Sequence, residues 1–377
     1  MKKVLIFSAS IGGGHNEVAA CIENEFTKHG FIVKKSDALM DINKSFDFFI
    51  SSSYKILIDK FPKVYGNLYY ISNKKKANKV ITGFISKITN KKFYNIILKE
   101  NPDLIITTHC FANGIIGYLK EKKYIDIPLI SIVTDFKAHQ TYIDKNVDAY
   151  IISNKSVGDM LALQGISRDR IFPYGIPIKT EFLMNNTAKT EGKKTFQILL
   201  MSGSIGCNSM EKILEDILNI KGDYRVVVVC GKNYKLKNFM QNKYIDFIKD
   251  KKVIIYGFTN NIPNIMENSD IIITKPGGLT ISEAIAKKLP IIIPYYIPGH
   301  EKENLDFLVE NGLAIYVDEL ESIEELIEYI MENPYYLENM KQNMTNMCER
   351  VNLDNIVYLG ESLILDSNFR KVFINGF

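Results

Sequence analysis

Short aliphatic and β-branched runs, apolar on both faces, alternate with longer amphipathic stretches along nearly the whole chain, and glycine-rich corners follow several of them. Segments such as Ile198-Leu199-Leu200-Met201 and Val226-Val227-Val228-Val229 have no polar side. A parallel sheet covered by helices on both faces needs that pattern. Strand–helix alternation with short connections specifies a doubly wound α/β fold. The predicted strands of the first half are Val4–Ser8, Phe31–Lys34, Leu104–Thr107, Leu129–Thr134 and Ala149–Ser153. Those of the second half are Gln197–Met201, Arg225–Cys230, Val253–Tyr256, Ile271–Thr274 and Ile291–Pro294.

With 377 residues the chain has room for two such domains. A seam separates the two sets of strands: Pro173-Tyr174-Gly175-Ile176-Pro177 is a rigid turn, and 185–194 is polar without an apolar period. The expected division is a first domain at 1–177, a second at 178–345 and a helical tail at 346–377 packing back on the first. Met340, Met344, Met347 and Val351, three and four residues apart, suit core packing. No apolar run approaches the ~18 residues of a membrane span. The opening Met1–Phe7 imitates a signal peptide, but its apolar core is short and a glycine run follows, so a buried first strand explains it better. Five scattered cysteines, with no Cys-x-x-Cys and no zinc-finger spacing, point to a reducing, cytosolic compartment.

The net charge of +4 conceals a split: residues 1–180 carry 26 Lys+Arg against 16 Asp+Glu, residues 181–377 carry 21 against 27. Positions 55–99 alone hold 11 lysines and one acid, Asp59. A solvated lysine face or an anionic membrane surface each fits that run. Nucleic acid does not, since the acidic second half repels phosphates and no aromatic-rich binding module accompanies it.

Four corners carry candidate chemistry. Ser8-Ala9-Ser10-Ile11-Gly12-Gly13-Gly14-His15 follows the first strand and opens a helix, whose N–H groups and dipole favour an anion. His15 there is a candidate general base, because imidazole titrates near neutrality; a helix-capping histidine is the plainer alternative. Met201-Ser202-Gly203-Ser204-Ile205-Gly206 is a second strand–glycine–helix corner suited to phosphate, without the Gly-Lys-Ser/Thr of a P-loop. Thr274-Lys275-Pro276-Gly277-Gly278-Leu279-Thr280 is a third, with Glu283 one turn into its helix, placed to accept from a ribose diol or merely to complement the dipole. Pro298-Gly299-His300-Glu301 is the fourth, after a strand, where open α/β sheets bind ligands. His109, Asp135 and His139 also follow strands and together suggest a pocket. The absence of any Asp-x-Asp removes a common metal–diphosphate ligand pair, and no bound metal is expected.

Gly12-Gly13-Gly14-His15, Thr134-Asp135-Phe136 with His139, Gly175-Ile176-Pro177-Ile178, Lys275–Ala284 and Pro298–Asn304 together resemble glycosyltransferase family 28. The resemblance is to its monogalactosyldiacylglycerol synthase and processive diacylglycerol glucosyltransferase group, and it spans about residues 4–345. It implies a GT-B fold of two facing Rossmann-like domains, with acceptor bound by the first and UDP-sugar by the second. It implies metal-independent inversion, with UDP-hexose and diacylglycerol as partners, no cofactor, and a peripheral place on the cytoplasmic face of the cell membrane. His15 corresponds to the base. Lys179, Gly203, Ser204, Gly206, Gly277, Gly278, Leu279 and Thr280 fall on the donor-binding side. Phe258, with Thr259, matches the position that packs on uracil, Glu283 the ribose acid, and His300 with Glu301 the sugar-reading pair. Gly13, Gly14, His109, Asp135 and His139 fall on the acceptor side. The family usually has Gln at His300 and Arg at Lys179. Lys74, Lys75, Lys76, Tyr69 and Phe84, in the lysine-rich run, are the expected membrane dock. Kindred readings are a UDP-GlcNAc transferase to a lipid-linked acceptor and a GT-B-like UDP-sugar 2-epimerase. A non-enzymatic UDP-sugar sensor has no use for a base beside the glycines.

Overall fold

The computed structural model describes residues 1–10, 13–38, 40, 56–58, 60–184, 195–203, 209–318, 322–348 and 351–375, without the side chains of 79–82, 84–88 and 369–375. Two compact units emerge: Met1–Pro177 with Pro298–His300 and Arg350–Phe377, and Ile178–Ile297 with Glu301–Glu349.

The first unit is built on six parallel strands: β1 (Lys3–Ser8), β2 (Ile32–Asp37), β3 (Leu104–Thr107), β4 (Leu129–Ile132), β5 (Ala149–Ile151) and β6 (Ile171–Phe172), in the order β2-β1-β3-β4-β5-β6. The inner strands β3, β4 and β5 are buried along their whole length, as two-sided aliphatic runs require, whereas edge strand β2 exposes Lys34 and Lys35. Helices α1 (Gly14–Lys28), α2 (Pro62–Ser72), α3 (Lys75–Glu100), α4 (Cys110–Glu121) and α5 (Lys155–Leu163) belong to this unit. Ala112, Ile115, Ile116 and Leu119, on one face of α4, enter a core with Leu5, Phe7, Phe93, Ile97 and Ile105.

The second unit repeats the architecture with β7 (Phe196–Met201), β8 (Tyr224–Val229), β9 (Val253–Tyr256), β10 (Ile271–Ile273), β11 (Ile291–Ile293) and β12 (Ala314–Tyr316), all parallel, in the order β12-β11-β10-β7-β8-β9. Its helices are α6 (Thr180–Leu183), α7 (Ser209–Leu218), α8 (Tyr234–Lys243), α9 (Ile245–Lys249), α10 (Ile262–Glu267), α11 (Gly278–Ala286), α12 (His300–Glu310, its first residue grouped with the first unit), α13 (Ile323–Glu332) and α14 (Glu338–Cys348). These are the two Rossmann-like lobes of a GT-B fold. Strands β6 and β12 add to the ten read from the sequence; they have two and three residues and lie at sheet edges.

Each sheet reverses its strand order once beside its first strand. In the first unit the chain leaves β1 for β2 on one side and returns to β3 on the other; in the second, β8 and β9 lie on one side of β7 and β10 on the other. The connections after these strands must diverge, which opens a crevice at the carboxyl edge. Gly13–His15 and Thr108–His109 border the first crevice, Ser202–Gly203 and Thr274–Gly278 the second.

The last described helix, α15 (Leu353–Asn375), packs on α1 and β3. Gly360 makes the close approach possible: a Cβ there would lie 2.9 Å from Leu104 Cδ2 and 3.0 Å from Phe26 Cζ. Gly360→Val should therefore destabilise the chain by about 1–3 kcal/mol through overpacking, read as an earlier urea midpoint; an unchanged midpoint would show that the tail docks otherwise.

Candidate active site

His15 is the second residue of α1, so the glycines before it place its ring over the carboxyl end of β3. Its Nδ1 lies 2.8 Å from the Thr108 carbonyl oxygen, which can only accept, so Nδ1 carries the proton. Thr134 Oγ1 lies 3.1 Å from the same nitrogen and 3.1 Å from the Tyr142 hydroxyl. In return Thr108 Oγ1 donates to the His15 carbonyl at 3.1 Å. This tautomer leaves the lone pair on Nε2, which has no hydrogen bond among the described residues. Burial pushes the imidazole below its ordinary 6.5, opposed by the negative field of Asp135 and the Thr108 bond, and aided by the nearby His300. The outcome is a neutral imidazole at neutral pH beside a carboxylate whose field favours the imidazolium formed on proton uptake.

His109 stacks edge-on against His15, ring centres 4.6 Å apart. Its Nδ1 accepts the Phe111 N–H at 3.2 Å and caps α4, and burial with the adjacent His15 holds it well below 6.5. His139 is fully engaged: Nδ1 accepts the Thr141 N–H at 3.2 Å, so Nε2–H donates to the Tyr69 carbonyl at 3.2 Å. The Tyr69 ring lies 4.5 Å from the His139 ring and 6.3 Å from that of His300, and Tyr65 OH is 3.3 Å from His300 Nδ1. His15 and His109 thus share a crevice, while His139 braces α2.

In the second crevice Gly203 adopts φ +63°, and a Cβ there would sit 3.8 Å from Lys275 Cε. Tyr295 OH donates to Ser202 Oγ at 2.6 Å. Gly277 precedes α11 with no side-chain cap, and nothing within 4 Å would meet a Cβ on it, so the helix N-terminus is open to an anion. Gly278 and Thr280 are buried in its first turn, Leu279 and Glu283 half-buried. Glu301 is buried and paired with Lys275, and its Oε2 accepts the Ile297 N–H at 2.9 Å. Asn304 Nδ2 donates to the Pro276 carbonyl at 3.0 Å and fixes the Pro-Gly-Gly turn. Phe258, after β9, is half exposed, with Lys232 Nζ 5.5 Å from its ring centre; beside it Thr259 Oγ1 accepts from the Asn261 N–H. Lys179 precedes α6. Ser204 and Gly206 lie outside the described residues, as does Gly12.

The model for monogalactosyldiacylglycerol (MGDG) synthase matches residues 15–178, and that for the glycosyltransferase family 28 C-terminal domain matches 197–353. The chain belongs to glycosyltransferase family 28. Among curated relatives, the processive diacylglycerol beta-glucosyltransferase of Bacillus pumilus is 29% identical over 361 residues, covering 92% of this chain and 91% of that protein. Acinetobacter baumannii MurG shares the fold at 13% identity and TM-score 0.62, over 96% of this chain and all of that one. A UDP-N-acetylglucosamine 2-epimerase does so at 15% and 0.55, over 91% and 90%. In this family 28 glycosyltransferase Thr108 and Tyr142, which no motif includes, and Thr134 and Lys275, which lie in motifs without a role assigned to them, hold or neighbour the expected site residues. Thr108 and Thr134 lie 93 and 119 positions along the chain from His15.

The neutral form of His15 persists below the usual histidine range, so the acid limb of kcat/KM should fall below pH 6.5; a limb above 6.5 would contradict the burial. His15, His109 and His139 are all depressed. The unfolded chain then binds protons near pH 6.5 that the folded chain refuses, so stability should drop as pH falls through that value.

Proposed function

We propose that the chain transfers a hexose, glucose or galactose, from UDP-hexose to the hydroxyl of diacylglycerol, with inversion, at a membrane surface. The neutral His15, its Nδ1–H held by the Thr108 carbonyl, carries this reading. Nε2 takes the acceptor proton as the acceptor oxygen attacks the anomeric carbon from the face opposite UDP, which yields a β-glycolipid. The field of Asp135 stabilises the imidazolium that results. On the donor side the half-exposed Phe258 offers a face for uracil, Glu283 an acceptor for the ribose diol, and the open start of α11 with Gly203 a cradle for the diphosphate. The curated relative's name supports diacylglycerol as acceptor and makes UDP-glucose the first donor to test.

Access to a diacylglycerol acceptor is assigned to α2. Phe61, Val64, Leu68 and Ile71 recur at three- and four-residue spacing, each about half exposed, and the exposed Lys74, Lys75 and Lys76 follow directly. An apolar stripe ending in lysines suits the interface of an anionic bilayer. Tyr69 sits elsewhere, on His139, and the Phe84 side chain lies outside the described residues. No helix among the described residues is long and apolar enough to cross a membrane. A place on the cytoplasmic face of the cell membrane completes the proposal.

Incubation with UDP-glucose or UDP-galactose and diacylglycerol vesicles should give a β-hexosyl diacylglycerol, and His15→Ala should lower kcat by ~10²-fold or more. The shared fold with an epimerase adds one arm: conversion of UDP-GlcNAc without lipid would replace the transferase reading. Replacing Lys74, Lys75 and Lys76 by Gln, or Leu68 by Ser, should weaken sedimentation with anionic vesicles, the lysine effect vanishing at high salt. Equal sedimentation would remove α2 as the dock.

A further inference from the structure

Transfer leaves a negative charge on UDP that something must meet. The C1–O bond to the β-phosphate breaks with its electron pair left on the phosphate oxygen, as the acceptor oxygen bonds to C1 and yields its proton to His15 Nε2. No Asp-x-Asp pair exists in the chain to hold a metal there. We propose that Lys275 supplies the positive charge for the departing diphosphate, and that buried Glu301 is the positioning residue that holds its ammonium in place. This rests on the reading of the chain as a UDP-hexose transferase.

Lys275 follows β10 at the strand-order reversal of the second sheet, where the corner after β7 lies alongside. Its Cε lies 3.8 Å from where a Gly203 Cβ would be, so the side chain passes over the glycine corner. The same residue leads into the Pro-Gly-Gly turn and the open start of α11. Lys275 therefore links Gly203 to the Pro-Gly-Gly turn that opens α11.

Glu301 fixes it there. The carboxylate side chain is 1% exposed, with one oxygen on Lys275 Nζ and the other accepting the Ile297 N–H. With both oxygens committed to the protein, Glu301 influences a donor sugar through Lys275. The lysine is the open member of the pair, its side chain 25% exposed, and an ammonium has three N–H donors of which Glu301 takes one. Another lysine of the same unit shows the contrasting, structural arrangement: Lys287 is 3% exposed and spends its donors on Glu267 and the Met184 carbonyl. A cation oriented before the bond breaks stabilises the leaving charge without reorganising at that moment.

Lys275→Met, Lys275→Arg, Glu301→Gln and the double variant Lys275→Met/Glu301→Gln separate a role in chemistry from one in folding. Lys275→Met should lower kcat by ~10²–10³-fold, weaken UDP binding in calorimetric titration by ~10-fold, and be substantially rescued by Arg. Lys275→Met alone leaves a buried carboxylate unpaired and destabilises the fold. The double variant removes both charges, so it should regain thermal stability yet stay as slow as Lys275→Met. A double variant within about threefold of wild-type kcat would overturn the proposal, because the pair would then serve folding alone. If the wild type makes no glycolipid, the transferase reading fails, and the UDP titration decides Lys275 by itself. Unchanged UDP affinity in the stable double variant would then overturn its assignment.

Discussion

Two strand pairings determine where chemistry is possible in this chain: β1 beside β3 and β7 beside β10. Each places the first strand of its sheet at the reversal of strand order, and each therefore splits the connections above it. The crevices exist because the strands are parallel and buried on both faces, which forces helices onto both sides and all the loops onto the strand ends. Glycine at the two first-strand corners then lets backbone and ligand approach closely. Gly13 takes φ +81° and Gly203 φ +63°, a region that other residues enter only with strain.

The two crevices use opposite electrostatic solutions. Around His15, burial outweighs the carboxylate of Asp135 and keeps the imidazole neutral, the form that the proposed reaction needs. The Thr108 carbonyl places the proton on Nδ1 and leaves the lone pair on Nε2, and the His109 ring, itself held neutral, adds no permanent charge. Around Lys275, a buried carboxylate pairs with a cation and holds it in place. Proton uptake by a neutral group and charge relief by a permanent one are the two demands of the proposed transfer.

Much of this was legible in the sequence. Two-sided aliphatic runs such as Ile271–Ile273 admit few structures besides buried parallel strands, and the glycine corners after Ser8 and Met201 marked both strand-order reversals. Strands β6 and β12 were missed because two or three residues carry no period. The side-chain partners were harder. Thr108 and Thr134 are ordinary residues until the sheet brings them to His15, with Tyr142 behind Thr134, and the distances from His15 along the chain conceal that. His139, like His109, is a histidine that follows a strand, yet the backbone of α2 claims its Nε2–H. Glu301 sat in a motif whose resemblance assigns it to sugar; its burial and its pairing with Lys275 became visible only in three dimensions.

The state of His15 before any substrate binds is the claim on which the transferase account stands. Nitrogen-15 NMR of the histidine-labelled protein reads that state directly, through the two-bond couplings that distinguish Nδ1–H from Nε2–H. The expected result is a neutral His15 at pH 7 with the proton on Nδ1, the lone pair on Nε2, and titration below 6.5. An Nε2–H tautomer, or an imidazolium at pH 7, would contradict it.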